Sequence, residues 1–267
     1  MPETHRINCG QSISLSDLST SGKDFHSDRD AAEKEFKAIK KELALLQNCL
    51  YAEGKQKLLI VLQAMDAGGK DGTIRKVFSG INPQGVRVTS FKAPSKKDLA
   101  HDYLWRIHKH VPAKGMIGVF NRSHYEDVLV VRVDKIVPES VWSKRFEQIN
   151  HFERLLFDSG THILKFFLHI SKDEQKERFQ DRLDVPEKRW KFSAHDLVKR
   201  EQWDEYRTAY EDMINKCSTD FAPWHVIPAD NKWYRNLAIG RTILHEIKQM
   251  NPQFPDPEEN LDRIQID

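Results

Sequence analysis

Residues 58–73, LLIVLQAMDAGGKDGT, constrain what this chain can fold into more than any other stretch. The run begins apolar and β-type, stops at glycines and a lysine, and is followed by the helix-compatible Ile74-Arg75-Lys76-Val77-Phe78. A strand that turns through glycines into a helix gathers backbone N–H groups and the positive end of a helix dipole where a phosphate can sit. The usual P-loop reads Gly, four residues, Gly, Lys, then Ser or Thr. Here Ala64 stands at the first glycine position and Asp71 follows Lys70, so the nearest hydroxyl is that of Thr73. A glycine turn that serves only the fold is the competing account. Asp66 speaks against it, because a carboxylate inside a phosphate cradle is costly unless a metal or a proton transfer needs it.

Alternation organises the rest. Residues 27–54 predict a long amphipathic helix, with Phe36, Ile39, Leu43, Leu46 and Leu50 at helical spacing and Gly54 as its stop. Strand-like runs recur at 57–64, 86–91, 115–121, 163–170 and 223–228, separated by segments with helical signals. Ser95 with Asp98, Ser171 with Glu174 and Ser193 with Asp196 read as capping boxes that start three helices. Several strands are nearly all apolar, as parallel strands covered on both faces must be. The expectation is an α/β fold, a doubly wound five-stranded parallel sheet flanked by helices. Ligands of such sheets bind beyond the strand C-terminal ends, where residues 66–73 and 121–127 both fall.

Composition narrows the class of partner. A net charge of +2 over 267 residues is too mild to announce nucleic-acid binding. Cys9, Cys49 and Cys217 are odd in number and widely spaced, which suits reduced thiols in the cytoplasm. Residues 1–22 are polar and no apolar run approaches bilayer length, which argues against secretion and membrane insertion. Trp105, Trp142, Trp190, Trp203, Trp224 and Trp233 are scattered and read mostly as core.

Two further regions carry charge in a suggestive place. At the end of the third strand stands Asn121-Arg122-Ser123-His124-Tyr125-Glu126-Asp127. Arg122 there has a ready partner in phosphate oxygens. Glu126 and Asp127 could contact a metal or merely favour a helix N-terminal turn. His124 reads as a capping or packing residue. After the fourth strand, residues 172–200 hold Arg178, Arg182, Lys188 and Arg189, with Pro186 breaking the segment into two helices and Trp190 among the cations. Arg178 and Arg182 are four apart, so they share a helix face and could grip adjacent phosphates; a solvated face paired with Glu174, Glu177 and Asp181 is the alternative.

Taken in order, Asp66-Ala67-Gly68-Gly69-Lys70-Asp71-Gly72-Thr73, Asn121 to Leu129 and Arg182 through Ser193 resemble the family-2 polyphosphate kinases, relatives of thymidylate kinase. The resemblance runs over roughly residues 28–250 and makes the departures at Ala64 and Asp71 ordinary. It implies a P-loop kinase-like domain at 28–250 with a helical lid about 172–200, an N-terminal extension at 1–27 and a C-terminal tail at 251–267. It implies phosphoryl transfer from inorganic polyphosphate to AMP and ADP, reversibly, in a cytoplasmic homo-oligomer. Adenine nucleotides, with guanine nucleotides as a second option, are the partners; nucleic acid and membrane are not. Asp66, Lys70, Arg122 and Arg182 become the catalytic set. The binding set is residues 67–73 with Asn121, Glu126, Arg178, Lys188 and Arg189. Asn121 departs from the Asp that many family members carry and looks like the branch that also accepts monophosphates. Magnesium or manganese is implied, with Asp66 and Asp127 as its ligands. Asp66 could also orient or deprotonate the acceptor phosphate. Lys76, Lys92, Lys96, Lys97, Arg178, Lys188 and Lys199 are available for a polyphosphate track. The competing readings are an ATP-dependent nucleoside monophosphate kinase and a non-enzymatic polyanion-binding module.

Overall fold

The computed structural model describes residues 2–259. Five strands, β1 (Lys57–Ala64), β2 (Val86–Ser90), β3 (Ile117–Asn121), β4 (Thr161–His169) and β5 (Trp224–Pro228), form one parallel sheet in the order β2-β3-β1-β4-β5. The helices are α1 (Arg29–Glu53), α2 (Lys70–Val77), α3 (Lys96–Leu99), α4 (Trp105–His108), α5 (Val130–Val133), α6 (Glu139–Asp158), α7 (Lys172–Asp184), α8 (Ala194–Glu201), α9 (Trp203–Cys217) and α10 (Lys232–Met250). Helices α1 and α2 pack with α10, while α5 and α6 pack with α9. The expected fold class is therefore the observed one.

β1 is central and apolar from Leu58 to Leu62, all at 0% exposure. Both of its faces are covered by helices, which is why no alternation appears in its sequence. Asp28 caps α1 by accepting from the Ala31 N–H, and Gly54 ends it in the left-handed conformation at φ +63°. β3 starts two residues later than expected, because Gly115 turns the chain at φ +78°.

Ser95 and Ser193 form the expected reciprocal boxes with Asp98 and Asp196. Ser171 does not. Its hydroxyl accepts from the Glu174 N–H at 3.0 Å, but its own N–H donates to Asp230 at 2.9 Å, and the Glu174 carboxylate turns to Arg178. A tertiary partner has displaced the local one. Trp190 also departs from expectation: Trp224 is fully buried, whereas Trp190 is 78% exposed on the turn Pro186–Lys191 after α7.

The N-terminal segment lies along the sheet's far edge and its C-terminal end. The Ile7 N–H donates to the Trp224 carbonyl at 2.8 Å, the Leu15 N–H to the Glu211 carboxylate at 2.8 Å, and the Thr20 hydroxyl to Asp230 at 2.6 Å. Of the expected tail, residues 260–267 lie outside the described residues.

Candidate active site

The loop after β1 is anchored by its carbonyls. That of Ala64 accepts from the Lys70 ammonium and from the Tyr210 hydroxyl, each at 2.9 Å. That of Met65 accepts from the Gly68 N–H at 3.0 Å, that of Asp66 from the Gln175 amide at 2.9 Å, and that of Ala67 from the Arg178 guanidinium at 2.9 Å. In a trans peptide C=O and N–H point opposite ways, so drawing these carbonyls inward turns the N–H groups of Asp66 and Ala67 outward. The first N–H groups of α2 add to them, since helix geometry leaves them without an acceptor and Gly69 supplies no capping side chain. Gly69 sits at φ +100°, and Ala67 adopts φ +60° despite its Cβ. Such strain persists only where surrounding contacts over-determine it. The result is an array of donors built for an anion.

The second motif closes one side of this cradle. β3 lies beside β1 with Asn121 opposite Leu62, and the Arg122 N–H donates to the Leu62 carbonyl at 3.1 Å. Arg122 then takes φ +61° and swings across to Asp66, donating at 3.0 Å. Asn121 reaches Asp71, donating at 2.6 Å. Asp71, a misfit to the usual loop, is thus a latch between the two motifs, and Asp66 has the cation its position required.

Four charged groups in this cleft feel one another. Burial and the Arg122 guanidinium hold Lys70 down to about 8. Burial raises the Glu126 carboxyl above the ordinary range, although Arg122 and Lys70 pull it down. Burial works against the charge of Arg122, but Glu126 and Asp66 more than offset it and its pKa rises. Asp127 feels Glu126 but takes its partner outside the four. Its carboxylate accepts from Arg145 at 2.9 Å, and burial lifts it to about 6. Glu126 and Asp196 both feel the charge of Asp66, while Asp127, expected beside it, pairs with Arg145. Thr73 is buried and its hydroxyl donates to the Gly69 carbonyl at 3.1 Å.

The lid residues separate into different roles. Arg178 is buried at the root of α7, where it donates to Glu174 at 2.7 Å, to the Ala67 carbonyl at 2.9 Å and to the Ala229 carbonyl at 2.6 Å. It braces the loop from behind. Arg182, one turn further, pairs with Asp196 at 3.3 Å. The Asp196 carboxyl is raised, first by burial and then by Asp66, so this pair stands at the cleft mouth. Lys188 pairs with Asp181 at 2.7 Å, Arg189 donates to the Leu183 carbonyl at 2.8 Å, and Lys199 is bound to Asp134. Of the track lysines, Lys76, Lys92, Lys96 and Lys97 are exposed.

Sequence reasoning missed the supports. Gln175 and Tyr210, which anchor loop carbonyls, carry no signal as single polar residues on helices. Beneath the second motif lies a wholly buried network. Lys165 donates to Glu153 at 2.6 Å, to the Tyr125 hydroxyl at 2.8 Å and to the Cys217 carbonyl at 2.6 Å. Glu153 also accepts from Tyr125 at 2.8 Å and bonds His124 at 3.1 Å. A lysine between the apolar pairs Ile163-Leu164 and Phe166-Phe167 was the available clue, since buried cations require a partner.

Comparison with known proteins agrees with this geometry. The family model described as Polyphosphate kinase 2 (PPK2) matches residues 26–255. An AMP/ADP-polyphosphate phosphotransferase of Meiothermus ruber is 55% identical over 243 residues, covering 91% of each chain. An ADP-polyphosphate phosphotransferase of Rhodopseudomonas palustris is 43% identical, covering 94% of this chain and 91% of its own. The crystal structure of polyphosphate kinase 2 from Arthrobacter aurescens TC1 superposes with a TM-score of 0.94 at 41% identity, covering 98% of this chain and 94% of that one.

Proposed function

The chain belongs to the polyphosphate kinase 2 family, and from that premise we propose that it moves a phosphoryl group from inorganic polyphosphate to AMP and to ADP, in either direction. The observation that carries the reading is the double link between loops, Arg122 to Asp66 and Asn121 to Asp71, which sets lysine, arginine and carboxylate around one anion cradle. Asn121 in place of an aspartate, followed by Glu126, favours acceptance of the monophosphate as well as the diphosphate.

Charge in the transition state of phosphoryl transfer spreads over the equatorial oxygens, so positioning and cation placement supply most of the catalysis. Lys70 and the loop N–H groups hold one phosphate. Arg122 stands across the cleft to meet the moving group, and Arg182 reaches it when the lid closes and excludes water. A lid arginine paired with Asp196 is held ready without being buried.

The donor set suits a magnesium ion, which takes one or two carboxylates and completes its shell with water and phosphate oxygens. Asp66 and Glu126 offer hard oxygens beside the cradle, whereas Asp127 is committed to Arg145. Held there, a divalent ion would supply positive charge against that of the phosphates. Manganese would serve the same donors. We place the enzyme in the cytoplasm as a homo-oligomer, with guanine nucleotides as secondary substrates.

The test is incubation with AMP, magnesium and long-chain polyphosphate in the absence of ATP, with nucleotides separated by ion-exchange chromatography. ADP followed by ATP is the expected outcome. ADP formed only when ATP replaces polyphosphate would assign the chain to the ATP-dependent kinases instead.

A further inference from the structure

Arg235 lies where no motif pointed. It sits on the first turn of α10 and is 2% exposed. Its Nε and Nη2 both donate to the Asn236 carboxamide oxygen, at 3.2 and 2.9 Å, and Nη1 takes part in neither bond. Among the described residues no carboxylate forms an ion pair with it. The acid whose field it feels, Glu174, is already bound to Arg178 at 2.7 Å.

The guanidinium lies across the start of α2. A Cβ added to Gly69 would stand 2.1 Å from Arg235 Nη1 and 3.4 Å from Arg178 Nη1; one added to Gly72 would stand 3.7 Å from Arg235 Nη2. Two buried guanidiniums therefore converge behind the loop with one carboxylate between them. Such an arrangement is costly while the charges stay unbalanced. Burial and the neighbouring Arg178 accordingly hold Arg235 down to about 9. The place where a balancing anion could sit is the donor array on the other side of Gly69.

We propose that Arg235 is a positioning residue of the phosphate loop: with Arg178 it forms a buried cationic pair whose counter-ion is the phosphate chain bound in the cradle. The inference deepens the functional reading given above and rests on it for the presence of a phosphate chain. The loop then comes to its ligand with excess positive charge built in, and the ligand relieves a strain of the free protein. Gly69 is small for a second reason, since a side chain there would push Arg235 away, whereas one at Gly72 would only touch it.

The measurement is direct binding, by calorimetry, of inorganic tripolyphosphate and of ATP to the full chain and to Arg235→Met and Arg235→Lys, with the melting temperature of each free protein. Arg235→Met should melt no more than about 3 °C below the wild type, because an unbalanced charge has gone. It should bind whichever phosphate chain the wild type binds at least about tenfold more weakly. Arg235→Lys, which keeps the charge, should recover most of that loss. In turnover, the KM for the phosphate donor should rise while kcat changes little. An Arg235→Met protein that fails to fold, or that melts much lower yet binds the chain within about twofold of the wild type, would make Arg235 a structural brace and overturn the proposal. A wild type that binds ATP but not tripolyphosphate, with the Arg235 dependence intact, would remove the polyphosphate reading and leave this one standing.

Discussion

Substituting Lys165 by Met probes how the second motif is held. Lys165 and Glu153 are both fully buried, and all three ammonium protons are used: on Glu153, on Tyr125 and on the Cys217 carbonyl. The substitution leaves Glu153 two donors, Tyr125 and His124, but no cation. Breaking a buried pair on one side costs about 3–5 kcal/mol, because an uncompensated charge stays behind. At roughly 2–4 °C per kcal/mol for a chain of this size, the melting temperature should fall by roughly 6–20 °C. Replacing Glu153 by Leu as well removes the stranded charge, and the double variant should be more stable than Lys165→Met alone. The cycle of four proteins, unfolded by guanidinium and followed by circular dichroism, should give a coupling energy of at least about 2 kcal/mol.

The same variants carry a pH signature. Burial works to raise the Glu153 carboxyl, yet Lys165 and His124 more than offset it and hold it below the ordinary value of 4.5. A depressed carboxyl contributes stability above its unfolded pKa and loses it as pH falls through the folded one. Without Lys165 that contribution reverses sign, so the penalty of Lys165→Met should shrink as the medium is acidified towards 4.5. A penalty under about 1 kcal/mol, or strict additivity in the double variant, would refute the reasoning, since either means that the network carries no charge coupling.

Two other outcomes follow from the cleft. Lys70, held down to about 8, is charged below that pH and neutral above it, so affinity for tripolyphosphate should be full on the acid side and fall as pH rises through 8. Lys70→Arg should remove that step from calorimetric titrations, and an unchanged step would assign it to another group. Arg182→Ala should lose on the order of a hundredfold in kcat with little change in melting temperature, and near-normal turnover would detach the lid arginine from the chemistry.

The sheet was legible because its inner strands are mostly apolar, and a strand buried on both faces has nothing to alternate with. Legibility failed where a distant partner outbid a near one. Glu174 had the spacing to close the box at Ser171, yet Arg178 takes it and Asp230 supplies the missing acceptor. Arg178 and Arg182 do share a helical spacing, but the root of α7 is pressed against the loop while the next turn bonds the segment that follows the helix. One arginine is 8% exposed and bound to loop carbonyls and Glu174, and the other is bound to Asp196 and the Lys191 carbonyl. Asp127 and Glu126 are neighbours in sequence, and the turn at His124–Asp127 sends them to different cations.

The glycines of the loop show why a local motif conveys only part of its own cause. A pattern such as Gly68-Gly69-Lys70 reads naturally as room for a phosphate, and φ +100° at Gly69 supports that reading. The space behind Gly69 is nevertheless filled, by a guanidinium that enters the sequence only after the fifth strand. A Gly69→Ala change would thus act twice, straining the turn and displacing Arg235, and Arg235→Met would relieve the second effect alone. If the two substitutions together bind tripolyphosphate no more weakly than Gly69→Ala alone, the crowding is real and the loop and α10 are one device. Independent, additive losses would mean that the glycine answers only to the backbone, and that the arginine behind it acts separately.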